Sequence, residues 1–141
     1  MSRVRREMLS LSGNIMEVKT DTKEKFHVIR VITPNLSANM AADLVNQLSD
    51  YLKANIKNIV LNLSEMNGVE EEAAEKLVRV QQKFYESGAS FVVCELKPGV
   101  EEFLDSRELL ELMNVTPTES EAWDIVQMEE VERELLGDDF D

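Results

Sequence analysis

Two short and almost wholly apolar segments constrain the fold of this chain more than any other feature. Residues 58–63 read Asn-Ile-Val-Leu-Asn-Leu, and residues 90–96 read Ser-Phe-Val-Val-Cys-Glu-Leu. Runs of this length, rich in β-branched residues, are typical of strands that are buried on both faces of a sheet. Both faces of such a sheet must then be covered by other parts of the chain.

A helical pattern precedes each of these two segments. The first helix is predicted from about Ala38, with Ser37 as its N-cap, and the second over 71–87, with Gly88 at its left-handed C-terminal position. Their inward faces consist of residues three, four or seven apart: Ala41, Leu44, Val45, Leu48 and Leu52 in the first, and Ala74, Leu77, Val78, Gln81, Phe84 and Tyr85 in the second. Alternating strands and helices indicate right-handed parallel crossovers.

The flanking segments complete an α/β fold. A hairpin of strands 14–19 and Phe26–Ile32 opens the domain. A helix over 100–113, open to interruption at 105–107, a short extended piece at 115–118 and a last helix over 119–136 close it. We therefore predict a mixed sheet of four to five strands surrounded by helices. The predicted organisation is a flexible lead-in at 1–12, a domain at 13–127 and an acidic helix end and tail at 128–141.

The acidic character of the chain limits the classes of molecule that it is expected to bind. The net charge of −13 argues against nucleic acid, whose phosphates need Lys and Arg. Residues 119–141 hold ten acidic side chains and one basic one, which indicates either a solvated tail or an element that docks on a basic partner. The chain contains no apolar run of the ~20 residues that span a membrane. Its single cysteine favours a reducing, cytoplasmic location.

Residues able to support catalysis are scarce. His27 lies within a predicted strand, Cys94 lies in an apolar run, and the five glycines form no phosphate-binding loop. One histidine and one cysteine nearly exclude a zinc site. We predict no cofactor and no enzyme activity, and keep a small enzyme with a carboxylate-bound metal as the less favoured alternative.

Several stretches resemble the STAS family, named for sulphate transporters and anti-sigma factor antagonists. Residues 58–77 resemble its central strand, loop and helix start, 87–94 its glycine-containing turn and next strand, and Glu121-Ala122-Trp123 the Glu-Ala-Leu that starts its last helix. The resemblance covers roughly 13–126. It implies a STAS-like (SpoIIAA-like) α/β fold.

The resemblance also locates a regulatory position. In the family, Asp-Ser-Ser/Ala-Gly opens the helix after the central strand, and the serine is phosphorylated. Here the Asp position falls on Glu70, the serine position on Glu71, and the next on Glu72. A glutamate carries one negative charge where phosphoserine carries about −1.5 to −2. Either the chain mimics the phosphorylated state in part, or it belongs to a branch without the switch.

The implied function is partner switching in transcription regulation by a non-catalytic protein-binding domain. The implied partner is an anti-sigma factor or a kinase-like ATPase, with a homodimer as a further option. The alternative is a constitutive scaffold subunit of a signalling complex or transporter. Because the carboxyl ends of parallel strands converge on one rim, we expect the predicted partner-binding residues to lie together. They are Asn35, Ser37, Asn67, Gly68, Glu70, Glu71, Glu72 and Lys97.

The last predicted helix carries a second apolar surface. Ala122, Ile125 and Val126 cluster on one side, whereas Met128, Val131 and Leu135 rotate towards another. One interpretation is a single broad apolar face. The other is that the segment after Gln127 projects beyond the core and pairs with a partner or a second copy.

Overall fold

A computed structural model describes residues 3–9 and 16–139. Six strands form one mixed sheet in the order β1-β2-β3-β5-β7-β8. The strands of this sheet are β1 (Arg3–Leu9), β2 (Met16–Thr22), β3 (Phe26–Ile32), β5 (Asn58–Asn62), β7 (Phe91–Cys94) and β8 (Val115–Thr116). Strand β2 runs antiparallel to both of its neighbours, β1 and β3, whereas β3, β5, β7 and β8 are parallel to one another. The two predicted buried strands, β5 and β7, are parallel neighbours, and neither lies at an edge of the sheet.

Four α-helices connect or follow the strands: α1 (Ala38–Asp50), α2 (Glu71–Glu86), α3 (Pro98–Ser106) and α4 (Glu119–Asp139). Ser37 caps α1 by accepting a hydrogen bond from the backbone N–H of Met40 at 3.2 Å. Gly88 follows α2 with a φ of 78°, a conformation that suits glycine. The cap of α1 is as predicted, and α2 ends at Glu86, one residue before its predicted limit.

The two faces of the sheet are covered by different helices. Alternate side chains of β5 point to opposite sides, so that Ile59 and Leu61 pack in the cluster of α1 and α2, whereas Val60 packs in the cluster of α4. Ala122 and Val126 of α4 are fully buried against this second face. This arrangement accounts for the apolar character of β5, all five residues of which are buried.

The strand count exceeds the predicted four to five because β1 pairs along its whole length with β2. No strand was predicted at residues 3–9, since their three arginines break any alternation of apolar and polar residues. The proposed boundaries at residues 12 and 127 stay predictions. The predicted strand start at 14 and 15 lies outside the described residues.

The structure settles three other details. The helix predicted over 100–113 is interrupted within the expected segment 105–107 and ends at Ser106, because Glu108 adopts a left-handed φ of 59° before a 3-10 turn at Leu110–Leu112. The last helix continues past the predicted end at Leu136 to Asp139. A separate two-stranded parallel sheet joins β4 (Asn35–Leu36) to β6 (Gly68–Val69), and neither strand was predicted.

The C-terminal part of α4 is attached to the domain. Glu129 accepts a hydrogen bond from the Tyr85 hydroxyl at 2.9 Å, and Glu130 accepts one from Asn58 Nδ2 at 3.0 Å. Arg133 donates to Asn58 Oδ1 at 3.0 Å. The hypothesis that the whole segment after Gln127 projects beyond the core is therefore wrong, because one side of α4 stays on the domain at least as far as Arg133.

A matched pair of substitutions tests the role of α4 in closing the sheet. Val126→Ala removes methyl groups from a fully buried site and should lower the free energy of unfolding by roughly 2 kcal/mol. Val131→Ala, one and a half turns later on the exposed side, should change it by less than about 0.5 kcal/mol. Denaturant unfolding of both variants measures the difference. Equal effects would show that α4 does not form part of the core.

Candidate functional site

The candidate site is a rim of loops at the carboxyl ends of β3, β5 and β7. Each strand leads through a short loop into a helix, namely α1, α2 and α3. The β4–β6 pair holds the first two loops together in the register Asn35 to Gly68 and Leu36 to Val69. The N-termini of α1 and α2 consequently lie side by side.

Hydrogen bonds across the first two loops fix this arrangement. The carbonyl of Pro34 accepts from the backbone N–H groups of Asn67, at 2.7 Å, and Gly68, at 3.0 Å. The carbonyl of Leu36 accepts from the N–H of Glu70 at 3.0 Å. A Cβ added at Gly68 would lie 2.8 Å from Asn35 Oδ1, so a larger residue there would require the Asn35 side chain to move.

Glu70 connects the two helices directly. It is the N-cap residue of α2, yet its Oε1 accepts a hydrogen bond of 2.8 Å from the backbone N–H of Ala38 in the first turn of α1. A carboxylate at this place satisfies an otherwise unpartnered amide and interacts favourably with the helix dipole. Glu70 therefore contributes to the shape of the rim.

The third loop is tied to the second by a lysine. Lys97, the N-cap residue of α3, donates from Nζ to Asn67 Oδ1 at 2.6 Å. The residue two positions earlier, Glu95, has a left-handed φ of 62° and accepts from the backbone N–H of Glu119 at 2.7 Å. The start of α4 is thereby joined to the same end of the sheet.

Glu71 and Glu72 form the first turn of α2 and are exposed. Glu71 Oε1 lies 3.4 Å from Arg107 Nε, and both side chains are about half exposed, at 53% and 51%. Arg107 follows α3 and lies over the ring of Phe103, 5.4 Å from its centroid. Solvent screening limits the stabilisation by such an exposed ion pair to about 1 kcal/mol at most.

All eight predicted residues belong to these three loops and the first turn of α2, as the parallel topology required. Glu71 lies at a helix N-terminus and is exposed, as predicted. Arg107 was not identified from the sequence, although it is the only basic residue between Lys97 and Arg133. The isolation of this basic residue in an acidic part of the sequence could have suggested that it pairs with an acidic residue of the domain.

The groups with potential chemistry lie elsewhere and are enclosed. Burial, followed by the charges of Glu119 and Glu95, raises the pKa of the Cys94 thiol to about 12, so it stays protonated near neutral pH. His27 Nδ1 is 2.9 Å from Thr22 Oγ1, its Nε2 is 2.9 Å from the Ile56 carbonyl, and burial lowers its pKa. Within residues 3–9 and 16–139, no cluster of three or more His, Cys, Asp or Glu side chains could hold a metal ion.

The sequence matches the family model of the STAS domain over residues 17–122, and the chain belongs to the STAS domain family. No curated protein matches the sequence at a significant level. None of the helices within the described ranges is long and apolar enough to cross a membrane.

Solved structures share the fold. A putative anti-sigma factor antagonist, TM1081 of Thermotoga maritima, is 22% identical, with a TM-score of 0.61 over 71% of this chain and 87% of its own. An anti-sigma factor antagonist from Mycobacterium paratuberculosis is 14% identical, with a TM-score of 0.65 over 90% of this chain and 95% of its own. The murine anion transporter Slc26a9 is 10% identical, with a TM-score of 0.63 over 90% of this chain and 22% of the transporter. At these identities the likeness establishes the SpoIIAA-like fold.

The structural role of Glu70 can be measured. Glu70→Ala removes the acceptor at the start of α1 and should lower the free energy of unfolding by about 0.5–2 kcal/mol. Glu70→Gln keeps an acceptor oxygen and should lose less. Glu65→Ala, at an exposed carboxylate of the same loop, serves as the control and should have almost no effect. Denaturant unfolding that ranks Glu65→Ala with Glu70→Ala would contradict this role.

Proposed function

We propose that this chain is a non-catalytic regulatory domain that binds a protein partner through the rim around the N-terminus of α2. Glu71 occupies the place of the phosphorylatable serine of anti-sigma factor antagonists. The observation that carries the proposal is the position of Glu71, exposed in the first turn of α2 with three loops around it. An anti-sigma factor or a kinase-like ATPase is the partner class that this arrangement favours.

The ion pair with Arg107 gives a physical basis for recognition. Because both side chains are half exposed, a partner can displace Arg107 from Glu71 at a cost of about 1 kcal/mol or less. A basic group on the partner would then pair with Glu71 in a less solvated interface, where ion pairs contribute specificity. The fixed loops around Glu71 keep the ordering cost of binding low.

One observation favours the alternative of a constitutive scaffold. The first turn of α2 offers Glu71, Glu72 and Ala73, none of which has a hydroxyl to phosphorylate. On the neighbouring loop the Ser37 hydroxyl already caps α1. The negative charge of Glu71 is permanent, whereas that of a phosphoserine can be removed. A permanent charge favours a constant contact in a signalling complex or transporter.

The proposal predicts that charge reversal at Glu71 disrupts partner binding. Tagged wild-type protein, Glu71→Lys and Glu86→Lys are used to capture partners from the source cells, and affinities are then measured by calorimetry with the purified partner. Glu86, exposed at the opposite end of α2, provides the matched control. We expect at least a tenfold loss for Glu71→Lys and no loss for Glu86→Lys. Equal affinities would contradict a binding face at Glu71.

The identity and behaviour of the partner distinguish the two forms of the proposal. If it is an ATPase-type kinase that phosphorylates Glu71→Ser but not the wild-type chain, partner switching is supported. If it is a transporter or scaffold subunit that binds Glu71→Ser without modifying it, a constitutive contact is supported. Thermal midpoints accompany both experiments, because a lysine in the first turn of α2 itself costs roughly 0.3–1 kcal/mol.

A further inference from the structure

The outer side of α4 concentrates exposed apolar side chains. Among the residues that the structure describes, six large apolar side chains are exposed, and four of them lie in α4. These four are Met128, Val131, Leu135 and Leu136, between 53% and 63% exposed. Small soluble domains rarely group exposed apolar side chains without a function.

Three of the four form a helical seam. At 100° per residue, Met128, Val131 and Leu135 lie within about 60° of one another. We call these three residues the outer stripe. They point away from Ala122 and Val126, which are buried against the sheet. A spacing of three and then four residues is that of the a and d positions of a coiled coil.

The heptad frame assigns the other positions consistently. With Met128 and Val131 at a and d, Glu129, Glu130 and Arg133 fall at b, c and f. Their hydrogen bonds to Tyr85 and Asn58 attach this side of α4 to the domain. The e and g positions, which flank a coiled-coil seam, are Glu132 and Glu134, and both are exposed. The helix is therefore held on one side, and the outer stripe on the other side is exposed. Of the two flanking acids, Glu134 also lies 3.8 Å from Lys25 Nζ, in an ion pair whose side chains are both more than half exposed.

The acidic residues beside the outer stripe indicate which kind of partner would bind there. Two copies of α4 packed through the outer stripe would bring Glu132 and Glu134 of each copy against the same acids, which is unfavourable. An anionic lipid surface would be repelled for the same reason. A helix with Leu or Ile at its seam and Lys or Arg at its flanks complements both the apolar and the acidic residues.

We propose that the outer stripe of α4 is a docking surface for a basic amphipathic helix of a partner protein. The surface is distinct from the rim around Glu71. The start of α4 is near the rim, since Glu119 accepts from Asn62 at the end of β5, whereas Glu130 and Arg133 contact Asn58 at the beginning of β5. The outer stripe thus lies towards the opposite end of the sheet, so two partners can bind at once.

The test uses the full chain and synthetic helical probes. One labelled peptide has Leu at a and d and Lys at e and g. A second has Glu at e and g, and a third has the composition of the first in an order without an apolar face. Fluorescence anisotropy at physiological salt gives the affinities. We expect the ordered Lys peptide to bind at least tenfold more tightly than either of the others.

Substitutions on the protein separate the outer stripe from general acidity. Val131→Ser with Leu135→Ser leaves the charge unchanged and should weaken binding of the ordered Lys peptide at least tenfold. Leu112→Ser, at another exposed apolar side chain, should have no effect. Glu132→Lys should weaken binding of the Lys peptide and improve binding of the Glu peptide, and Glu86→Lys should do neither. Thermal midpoints should be unchanged, because all these side chains are exposed.

Two outcomes would overturn the proposal. The first is binding of the Lys peptide with the same affinity by the wild type and the Val131→Ser, Leu135→Ser variant, which would reduce the interaction to charge. The second is self-association of the wild type, seen by sedimentation and lost in that variant, which would assign the surface to a second copy.

Discussion

The burial of β5 on both faces is the constraint on which the rest of the structure depends. Ile59 and Leu61 on one side and Val60 on the other are each inaccessible to solvent. A strand of this kind is stable only when two separate layers remove its side chains from water. The chain meets this requirement with α1 and α2 on one face and α4 on the other. Asn58, at the start of β5, accepts a hydrogen bond from the backbone N–H of Ser90 and donates one to Glu130. It thereby links β5 to the segment before β7 and to the covering helix α4.

The geometry of the rim follows from that layering. Crossovers from β3 and β5 into α1 and α2 place two helix N-termini at one end of the sheet, each with amide groups that need acceptors. Ser37 and Glu70 supply acceptors for α1, and the first turn of α2 carries acidic side chains that its dipole favours. The acidic run 70–72 thus has a structural explanation in Glu70 and an exposed remainder in Glu71 and Glu72.

Sequence patterns predicted the elements whose signals are local. Strand β3 has its predicted bounds because a β-branched run ends before Pro34, and α2 begins at Glu71 and ends one residue before its predicted limit. Other contacts join residues more than 30 positions apart, and periodicity along the sequence does not predict them. They are the β4–β6 pair, the hydrogen bond from Ala38 to Glu70 and the ion pair of Glu71 with Arg107. Strand β1 forms because it pairs with β2. Its charged side chains have low strand propensity, so the local sequence predicts a loop there. Convergence of the rim residues was predictable from topology, whereas their individual partners were not.

The two exposed surfaces differ in how the fold fixes them. At the rim, position is set by backbone bonds between loops, so that Glu71 is presented by a frame with little freedom of its own. The orientation of α4 is set by side-chain hydrogen bonds from one face of the helix. These bonds fix the direction in which the opposite face points, but they do not determine which residues that face carries. A helix needed only to cover the sheet ordinarily carries polar residues on its outer side. The combination of apolar a and d positions with acidic e and g positions therefore supports the proposed docking surface, whereas Ala122 and Val126 already satisfy the requirement of covering the sheet.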